Sequence, residues 1–295
     1  MISVIISTYR PHYLDSLSQN IKETIGVPYE IIAIDNSGAK MGLCQLYNVG
    51  AKKAQYDIVC FVHEDVNILT TNWGIIVVDK FNSYPKLGLL GVAGGSYKTA
   101  VPSGWSFPLA SPKTIYMNIV QLEKSSKELR HHNYSSKDSP LVNVASVDGV
   151  WFCTKKEVLN KFSFDEKTFT NFHCYDVDFS LSVHQEYEVA VTFEILLEHF
   201  SEGNFDKQWL SDTFKLHQKW NKILPVNEEK LTEKEQVREE EAAFYYLLKQ
   251  MKNVGALDLN VYKILFDKNV IKVLSLKSLL KMAKVAGESI LKKHA

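Results

Sequence analysis

The chain has 295 residues, of which 45% are hydrophobic, 12% aromatic and 23% charged, a composition typical of globular proteins. Its 34 Lys and Arg residues balance 34 Asp and Glu residues, which excludes the overall basic field of a dedicated nucleic-acid-binding protein. No apolar run approaches the roughly 20 residues that cross a bilayer, and the N-terminus lacks the pattern of a signal peptide. We therefore expect a soluble, cytoplasmic protein that is at most attached to a membrane surface.

The four cysteines show no metal-binding or redox pattern. They are Cys44, Cys60, Cys153 and Cys174, and no two of them form a CxxC pair or a zinc-like spacing. Cys60 and Cys153 lie in apolar runs, where cysteine behaves as a small hydrophobic residue. A reduced, cytoplasmic setting fits this usage best.

The first part of the chain alternates short apolar runs with amphipathic segments. Residues 2–7 (ISVIIS), 30–35 (EIIAID) and 57–62 (DIVCFV) have the apolar, β-branched sequence of strands that are covered on both faces. The apolar spacing predicts one helix from Pro11 to near Gly26 and another over roughly 43–55. This alternation predicts a doubly wound, mainly parallel sheet.

The later part of the chain is less regular. A helix near 72–82 and a strand over 87–94 (LGLLGVAG) continue the alternation, whereas 95–140 is interpreted as long loops with TIYMNIVQL as a candidate strand. Residues 142–154 return to apolar alternation, and the following KKEVLNKF has the pattern of a short helix. From about 206 the pattern is helical, so we predict an α/β domain over 1–205 and a helical C-terminal region over 206–295.

Polar residues follow each of the first three predicted strands. They are Ser7-Thr8-Tyr9-Arg10, then Asp35-Asn36-Ser37, then His63-Glu64-Asp65. Ligands of open parallel sheets bind outside the carboxyl ends of the strands, so these groups are expected to meet at one edge. Asp65 can hold a hard divalent cation there, and Asp35 can accept hydrogen bonds from a ribose or a base. Neither GxGxxG nor GxxxxGK[ST] occurs, which disfavours the common dinucleotide and P-loop sites.

The ordered segments ISVIISTYRP, EIIAIDNS and LYNVGAKKAQYDIVCFVHEDV resemble the donor-binding half of family-2-type, GT-A-fold glycosyltransferases. Further along, VDGVWFCTKKEVL resembles the acceptor-side segment of that family, YDVDFSL the segment that carries its catalytic base, and EHFSEGNF its late histidine segment. The resemblance covers roughly 1–205. It implies a GT-A-type α/β fold and a DxD motif that binds Mg²⁺ or Mn²⁺ together with a nucleotide sugar.

The resemblance also assigns roles to individual residues. The nucleotide pocket would be lined by Thr8, Tyr9, Arg10, Asp35, Asn36 and Asn48. The metal would be held by Asp65, His63 and His199, and Asp176 would be the catalytic base. Glu64, in the variable middle position of the motif, is expected to point away from the site.

His63 departs from the family pattern, because it stands where the first aspartate of the DxD motif is usual. Imidazole suits Mn²⁺ or a softer metal better than Mg²⁺. Two roles are therefore open for His63, metal ligation and hydrogen bonding to the nucleotide, and the dependence on a metal is open with them.

The implied activity is transfer of a sugar with inversion from a nucleotide donor, by expectation a UDP-sugar, to a saccharide or lipid-linked acceptor. Bacterial surface-polysaccharide synthesis is the setting that the family implies. Two alternatives are a nucleotidyltransferase and a catalytically silent module that binds nucleotide or glycan or scaffolds an assembly complex. A nucleotidyltransferase would carry a glycine-rich loop after the first strand, and STYRPHYLDS contains no glycine.

Several other features allow both a structural and a functional interpretation. Trp105, in a Gly- and Pro-containing loop, and Trp151, in an apolar strand, can stack on an acceptor sugar or pack in the core. The pair His131-His132 has no third ligand at suitable spacing, so we predict a solvated loop. The Leu- and Lys-rich segment that begins at Val270 is interpreted either as a bundle helix or as a helix lying on an anionic membrane.

Overall fold

The computed structural model describes residues 1–38, 41–124, 126–136, 139–201 and 203–291. The chain divides into two compact units. The first comprises Met1–Gly95 and Tyr116–Gly203, and the second comprises Ser96–Ile115 and Asn204–Ala295. The division into 1–205 and 206–295 stays a prediction.

The described residues form the following strands and α-helices. The strands are β1 Ile2–Thr8, β2 Tyr29–Asp35, β3 Ile58–His63, β4 Val66–Ile68, β5 Leu87–Gly91, β6 Ala93–Gly95, β7 Tyr97–Lys98, β8 Ile115–Leu122, β9 Leu129–Tyr134, β10 Leu141–Asn143, β11 Ser146–Val147, β12 Trp151–Lys155, β13 Glu188–Thr192, β14 Leu197–His199 and β15 Val226–Asn227. The helices are α1 Pro11–Thr24, α2 Leu43–Lys53, α3 Trp73–Ser83, α4 Lys156–Lys161, α5 Tyr175–Val183, α6 Lys207–Trp220, α7 Glu233–Asn253, α8 Val261–Leu265, α9 Lys268–Val273 and α10 Leu276–Leu291.

The main sheet of the first unit has the strand order β10-β13-β5-β12-β3-β1-β2. β1 runs parallel to both β2 and β3, with Thr8 opposite Asp35 and Ser7 opposite His63. β12 is inserted antiparallel between β3 and β5, so the sheet is mixed in its middle. The register confirms that the polar ends of the first three strands meet at one edge, which is the α/β arrangement expected of a GT-A-type fold.

Close packing holds this edge in place. β1 is buried along Ile2–Ile6. A Cβ added to Gly50 would lie 2.5 Å from Cγ2 of Ile5, so α2 approaches β1 more closely than any side chain would allow. On α1, the amide of Asn20 donates to the carbonyl of Ile68 at 3.0 Å and accepts from its N–H at 2.8 Å. Asn20 therefore fixes α1 against β4.

A second sheet crosses the same unit with the order β11-β6-β8-β14-β4, and β9 pairs with β8. The candidate strand in TIYMNIVQL is confirmed as β8. The loop interpretation of 129–134 was wrong, because LRHHNY forms β9, a mostly exposed strand that has no apolar alternation. The predicted strand 87–94 is split at Val92 into β5 and β6, which belong to different sheets. β14 pairs with β4 and β8, placing His199 opposite Val66 and Gln121.

The second unit contains the segment Ser96–Ile115 with β7, the helices α6–α10, and β15, which pairs with β7. It contains a buried polar network. Glu240 is fully buried and accepts hydrogen bonds from the hydroxyl of Tyr97 at 2.9 Å and from the N–H groups of Ala100 and Val101, both at 2.8 Å. These bonds tie the segment to α7. In the part of the chain that the structure describes, no helix is both long and apolar enough to cross a bilayer.

Candidate functional site

Three side chains converge at the edge of the first unit. His63 is the last residue of β3, Asp65 follows in the next turn, and His199 is the last residue of β14. One ligand atom from each of the three lies within 4.8 Å of the others, and Asp65 Oδ1 is 3.6 Å from His199 Nε2. The side chains of Asp65 and His199 remain 13% and 12% exposed. The three residues predicted as metal ligands can therefore hold one cation between them.

The protonation states at this cluster suit a metal. Burial raises the pKa of Asp65, but the neighbouring His199, with His63 and Ser201, holds it well below its ordinary value. Burial and the neighbouring His199 lower the pKa of His63 to about 4. Asp65 is therefore ionised and His63 neutral near pH 7, as ligands of a cation must be. Two imidazoles and one carboxylate suit Mn²⁺ better than Mg²⁺.

Gln121, which carries no sequence signal, orients His199. Its Oε1 lies 3.0 Å from His199 Nδ1, and its Nε2 donates to the carbonyls of His199 at 3.2 Å and Ser201 at 2.6 Å. This contact leaves Nε2 of His199 directed toward Asp65. Such outer partners fix both the tautomer and the orientation of a metal-binding imidazole.

Tyr175 plays the corresponding part for His63. Its hydroxyl lies 2.7 Å from His63 Nε2, and its side chain is buried. Burial raises the pKa of Tyr175 well above its ordinary value, so the hydroxyl keeps its proton. A Cβ on Gly149 would lie 1.9 Å from that hydroxyl, so only glycine leaves room for Tyr175 in this position.

Glu64 does not point away from the site, and that prediction was wrong. The side chain is only 4% exposed, and its Oε2 accepts hydrogen bonds from Thr8 Oγ1 at 2.7 Å, Tyr9 N at 3.1 Å and Arg10 N at 3.3 Å. It therefore joins the loop after β1 to the turn that carries Asp65. A lone polar residue between two others gives no periodic signal, so its burial could not be predicted from the sequence.

The loops after β1 and β2 keep accessible groups at the same edge. Tyr9 is 53% exposed, and the guanidinium of Arg10 lies 5.1 Å from the centre of its ring. Asp35 is exposed and accepts from the N–H of Ser37 at 2.8 Å. Thr8 is buried, and its hydroxyl is used by Glu64. Tyr9, Arg10 and Asp35 are thus placed to contact a ligand, whereas Thr8 supports them.

Two of the residues assigned to the nucleotide pocket also hold neighbouring loops through their side-chain amides. Asn36 donates from Nδ2 to the carbonyl of Met41 at 3.0 Å and accepts from its N–H at 3.2 Å. Asn48 donates to the carbonyl of Phe164 at 2.9 Å and to Glu166 Oε2 at 2.8 Å, and accepts from the N–H of Phe164 at 3.0 Å. These hydrogen bonds support the loops, and the assignment of both residues to the nucleotide pocket stays a prediction.

Asp176 lies in the first turn of α5, directly after Tyr175. Its two carboxylate oxygens accept from the N–H groups of Gly149 at 3.0 Å and Val177 at 2.8 Å. Burial, reinforced by the charge of Asp148, raises the pKa of Asp176 to about 7. A carboxyl group with this pKa can accept a proton near neutral pH, as a general base must.

The two tryptophans predicted to stack on an acceptor sugar differ in burial. Trp151 is completely buried, with its ring 5.8 Å from that of Trp73, so it is a core residue and cannot stack on a sugar. Trp105 is half-buried and lies in the second unit. Phe172, which the sequence did not single out, is 52% exposed with its ring 5.8 Å from that of His63.

The pair His131-His132 lies on β9 rather than in a loop, and its members have separate partners. His131 Nε2 is 2.8 Å from Asn118 Oδ1, and His132 Nε2 is 3.5 Å from Glu123 Oε1. Within the described ranges, the cluster of His63, Asp65 and His199 is the group whose ligand atoms converge as a metal site requires.

Solved structures share the fold at low sequence identity. The structure of S. aureus TarS residues 1–349 matches with a TM-score of 0.51 at 14% identity, covering 94% of this chain and 82% of that one. A longer S. aureus TarS structure gives 0.53 at 13% identity, covering 99% and 53%. GalNAc-T7 with UDP, GalNAc and Mn²⁺ gives 0.50 at 12% identity, covering 74% and 47%, so the present chain spans about half of the two longer proteins.

No curated protein sequence matches the chain. The model of the glycosyltransferase-like family, in contrast, matches residues 4–233, which is well over half of the sequence. The structural matches agree with this result at the level of the fold. The chain therefore belongs to the glycosyltransferase-like family and has the α/β architecture of GT-A glycosyltransferases.

Proposed function

We propose that the protein is an inverting glycosyltransferase that moves a sugar from a nucleoside-diphosphate donor, a UDP-sugar, to a saccharide or lipid-linked acceptor. The observation that carries this proposal is the convergence of Asp65, His63 and His199 at the sheet edge where β1 and β2 end and their following loops begin. Membership of the glycosyltransferase-like family supports it.

In the proposed donor complex, the exposed ring of Tyr9 stacks on the base and Asp35 accepts hydrogen bonds from the nucleoside. Arg10 faces the negative charge of the diphosphate. A divalent cation held by Asp65, His63 and His199 would neutralise charge on the departing diphosphate. The Mn²⁺ and UDP bound in the GalNAc-T7 structure support this assignment.

Asp176 is the proposed general base. It takes the proton of an acceptor hydroxyl as the hydroxyl oxygen attacks the anomeric carbon, while the bond from that carbon to the diphosphate breaks. One displacement from the opposite face inverts the configuration. The carboxylate of Asp176 is oriented by the N–H groups of Gly149 and Val177, and its pKa of about 7 supports proton transfer near neutral pH.

We place the reaction in bacterial surface-polysaccharide synthesis at the cytoplasmic face of a membrane. The support for membrane contact is α10, where Leu276, Leu280 and Leu291 are 72%, 63% and 72% exposed. Lys277 and Lys284 lie on the same helix. An exposed apolar face beside lysines suits an anionic lipid surface.

The experiment is titration of UDP, with and without Mn²⁺, into the wild type and two variants, Asp65→Ala and Asp176→Asn. We expect Asp65→Ala to lose the Mn²⁺-dependent part of the UDP affinity. Asp176→Asn should keep that affinity and lose turnover of UDP-sugars by about 10²–10⁴-fold, the usual contribution of a general base.

Equal UDP affinity in the wild type and Asp65→Ala, whether or not Mn²⁺ is present, would refute the proposed donor site. Unchanged turnover in Asp176→Asn would refute the assigned base. Mn²⁺-dependent UDP binding without turnover of any UDP-sugar in the wild type would identify a catalytically silent binding module instead.

A further inference from the structure

An exposed phenylalanine lies beside the metal-binding cluster. Among the described residues of the first unit, Phe172 is the most exposed phenylalanine, at 52%. The centre of its ring lies 5.8 Å from that of His63 and 6.1 Å from that of Tyr175. Phe172 thus contacts both a candidate metal ligand and Tyr175, the residue that directly precedes the candidate base Asp176.

The backbone that carries Phe172 is held at several points. The carbonyl of Asn171 accepts from the N–H of Leu43 at 2.9 Å, and a Cβ on Gly42 would lie 2.3 Å from the carbonyl oxygen of Thr170. On the other side, Cys174 has a positive φ of 65° at the start of α5. A residue other than glycine rarely adopts this conformation, and it persists only where surrounding structure enforces it.

Packing against its neighbours does not account for the position of the ring. The contacts with His63, His173 and Tyr175 cover part of Phe172, and half of its surface remains exposed to solvent. An isolated exposed apolar side chain needs no explanation in general. Here the exposed ring borders a cluster of polar groups, which is the composition of a ligand site: an aromatic wall with a few convergent polar side chains.

We propose that Phe172 is the stacking platform for a pyranose ring at the reaction centre. This inference rests on the proposed function. A diphosphate bound at His63, Asp65 and His199 would bring the attached donor sugar one bond away, and the acceptor hydroxyl must approach the same anomeric carbon. One face of a pyranose presents C–H groups, which pack against the face of an aromatic ring, while its hydroxyls need polar partners at the edges.

The pyranose ring that packs on Phe172 can belong to either of two ligands, the donor sugar or the acceptor sugar. The shared chemistry is the apolar face of a pyranose. Phenylalanine has no hydroxyl that could bind the sugar by a hydrogen bond, so the contribution is that of the ring surface alone. Trp151, the other candidate for this role in the first unit, is excluded by its complete burial.

The test compares Phe172→Ala and Phe172→Trp with Tyr134→Ala. Tyr134 is an aromatic residue of the same unit that is 41% exposed on β9, so its removal controls for loss of an exposed ring. Affinities are measured in the presence of Mn²⁺ for UDP, for a panel of UDP-hexoses and UDP-N-acetylhexosamines, and, with UDP bound, for a panel of methyl glycosides.

We expect Phe172→Ala to bind UDP as the wild type does and to lose about 3–10-fold in affinity in one of the sugar arms, the usual contribution of an aromatic contact. Loss confined to the UDP-sugars identifies the donor ring, and loss confined to the methyl glycosides identifies the acceptor ring. Phe172→Trp should retain the affinity, and Tyr134→Ala should change nothing.

A wild type that binds UDP, with Phe172→Ala unchanged in both sugar arms or with no sugar binding in either, would overturn the platform and leave the donor site intact. A wild type that binds no UDP would overturn the proposed function itself. A drop in UDP affinity in Phe172→Ala equal to the drop in UDP-sugar affinity would show that the ring only supports the fold of the site.

Discussion

Two histidine-containing clusters of polar side chains, one in each unit, differ in whether their polar atoms are hydrogen-bonded to one another. In the second unit, Nζ of Lys98 lies 2.8 Å from Ser103 Oγ, 3.1 Å from the Ser103 carbonyl and 2.7 Å from His217 Nε2. His217 Nδ1 is 3.1 Å from the carbonyl of Ala100. In the first unit, Asp65 and His199 face each other at 3.6 Å, which is longer than a hydrogen bond.

The difference separates a scaffold from a site. Lys98, Ser103 and His217 are 1%, 2% and 7% exposed, and their polar atoms are spaced at hydrogen-bond distances with no room for a ligand. The gap between Asp65 and His199 suits two atoms that each bind one cation at about 2.0–2.2 Å. Residue types that look catalytic therefore mark a site only where their ligand atoms converge on unfilled, reachable space.

The sharpest test of this comparison exchanges one histidine in each cluster for alanine. Removing a residue that only hydrogen-bonds a metal ligand lowers the metal affinity by about 10–100-fold. His199 is a proposed ligand itself, so His199→Ala should weaken Mn²⁺ binding by at least that factor. It should leave the free energy of unfolding nearly unchanged. His217→Ala should do the opposite, costing about 2–4 kcal/mol of unfolding free energy because it removes a buried partner of Lys98 and Ser103.

Both variants are measured by Mn²⁺ titration and by urea unfolding. The comparison fails if His217→Ala weakens Mn²⁺ binding as much as His199→Ala does, or if the two variants lose equal stability.

Glu64 tests whether a buried, hydrogen-bonded carboxylate can support a site that is accessible to ligands. It lies in the first unit but is buried like the residues of the second, with three donors on Oε2, whereas the buried Oε1 has no hydrogen-bond partner among the described residues. Glu64→Ala leaves these donors without an acceptor, so we expect a loss of about 1–3 kcal/mol in unfolding free energy together with weaker UDP binding. Glu64→Gln, which keeps an acceptor oxygen, is the matched control.

Urea unfolding and UDP titration follow the two effects. A Glu64→Ala protein with wild-type stability and wild-type UDP affinity would show that the loop after β1 does not depend on this carboxylate.

The smallest expected effect is on the pH profile. Because the pKa of Asp176 is raised to about 7, its basic form grows as pH increases through 7, and turnover should rise between pH 6 and 8. The effect on stability has the opposite sign: the folded state retains this proton where the unfolded chain has lost it, so stability from Asp176 declines as pH rises toward 7.

Asp148 gives the control for this profile, because its charge is the second cause of the raised pKa after burial. Asp148→Asn should move the midpoint of turnover to lower pH by less than about one unit, since the burial of Asp176 remains. A midpoint that stays fixed or moves upward in Asp148→Asn would contradict the assignment of Asp176 as the titrating base.

The sequence predicted the elements whose causes are local. The buried strands β1, β2 and β3 and the helices between them have clear periodicity, and their shared edge follows from parallel topology. Asp65 was chosen from its place after the third strand, and His63 and His199 from the family resemblance; the structure brings the three together.

What the sequence could not predict depends on register and on burial of single polar residues. Gln121 reaches His199 only because β14 pairs with β8, and Tyr175 reaches His63 only because Gly149 leaves room. Glu64 and Asn48 looked like accessible polar residues, yet their hydrogen-bond partners include backbone groups that lie 54 and 116 positions away. None of these pairings leaves a periodic trace along the chain.

The route of the chain between the two units has a consequence for dissecting the protein. The backbone leaves the first unit after Gly95, re-enters it at Tyr116 and leaves again after Gly203. A truncation near residue 205 would therefore remove α6–α10 but retain 96–115, including Ala100, Val101 and Phe107, which belong to the apolar core of the second unit. The two units therefore cannot be separated by a single cut. A fusion protein joined near residue 205 would still contain segment 96–115 without the helices it packs against.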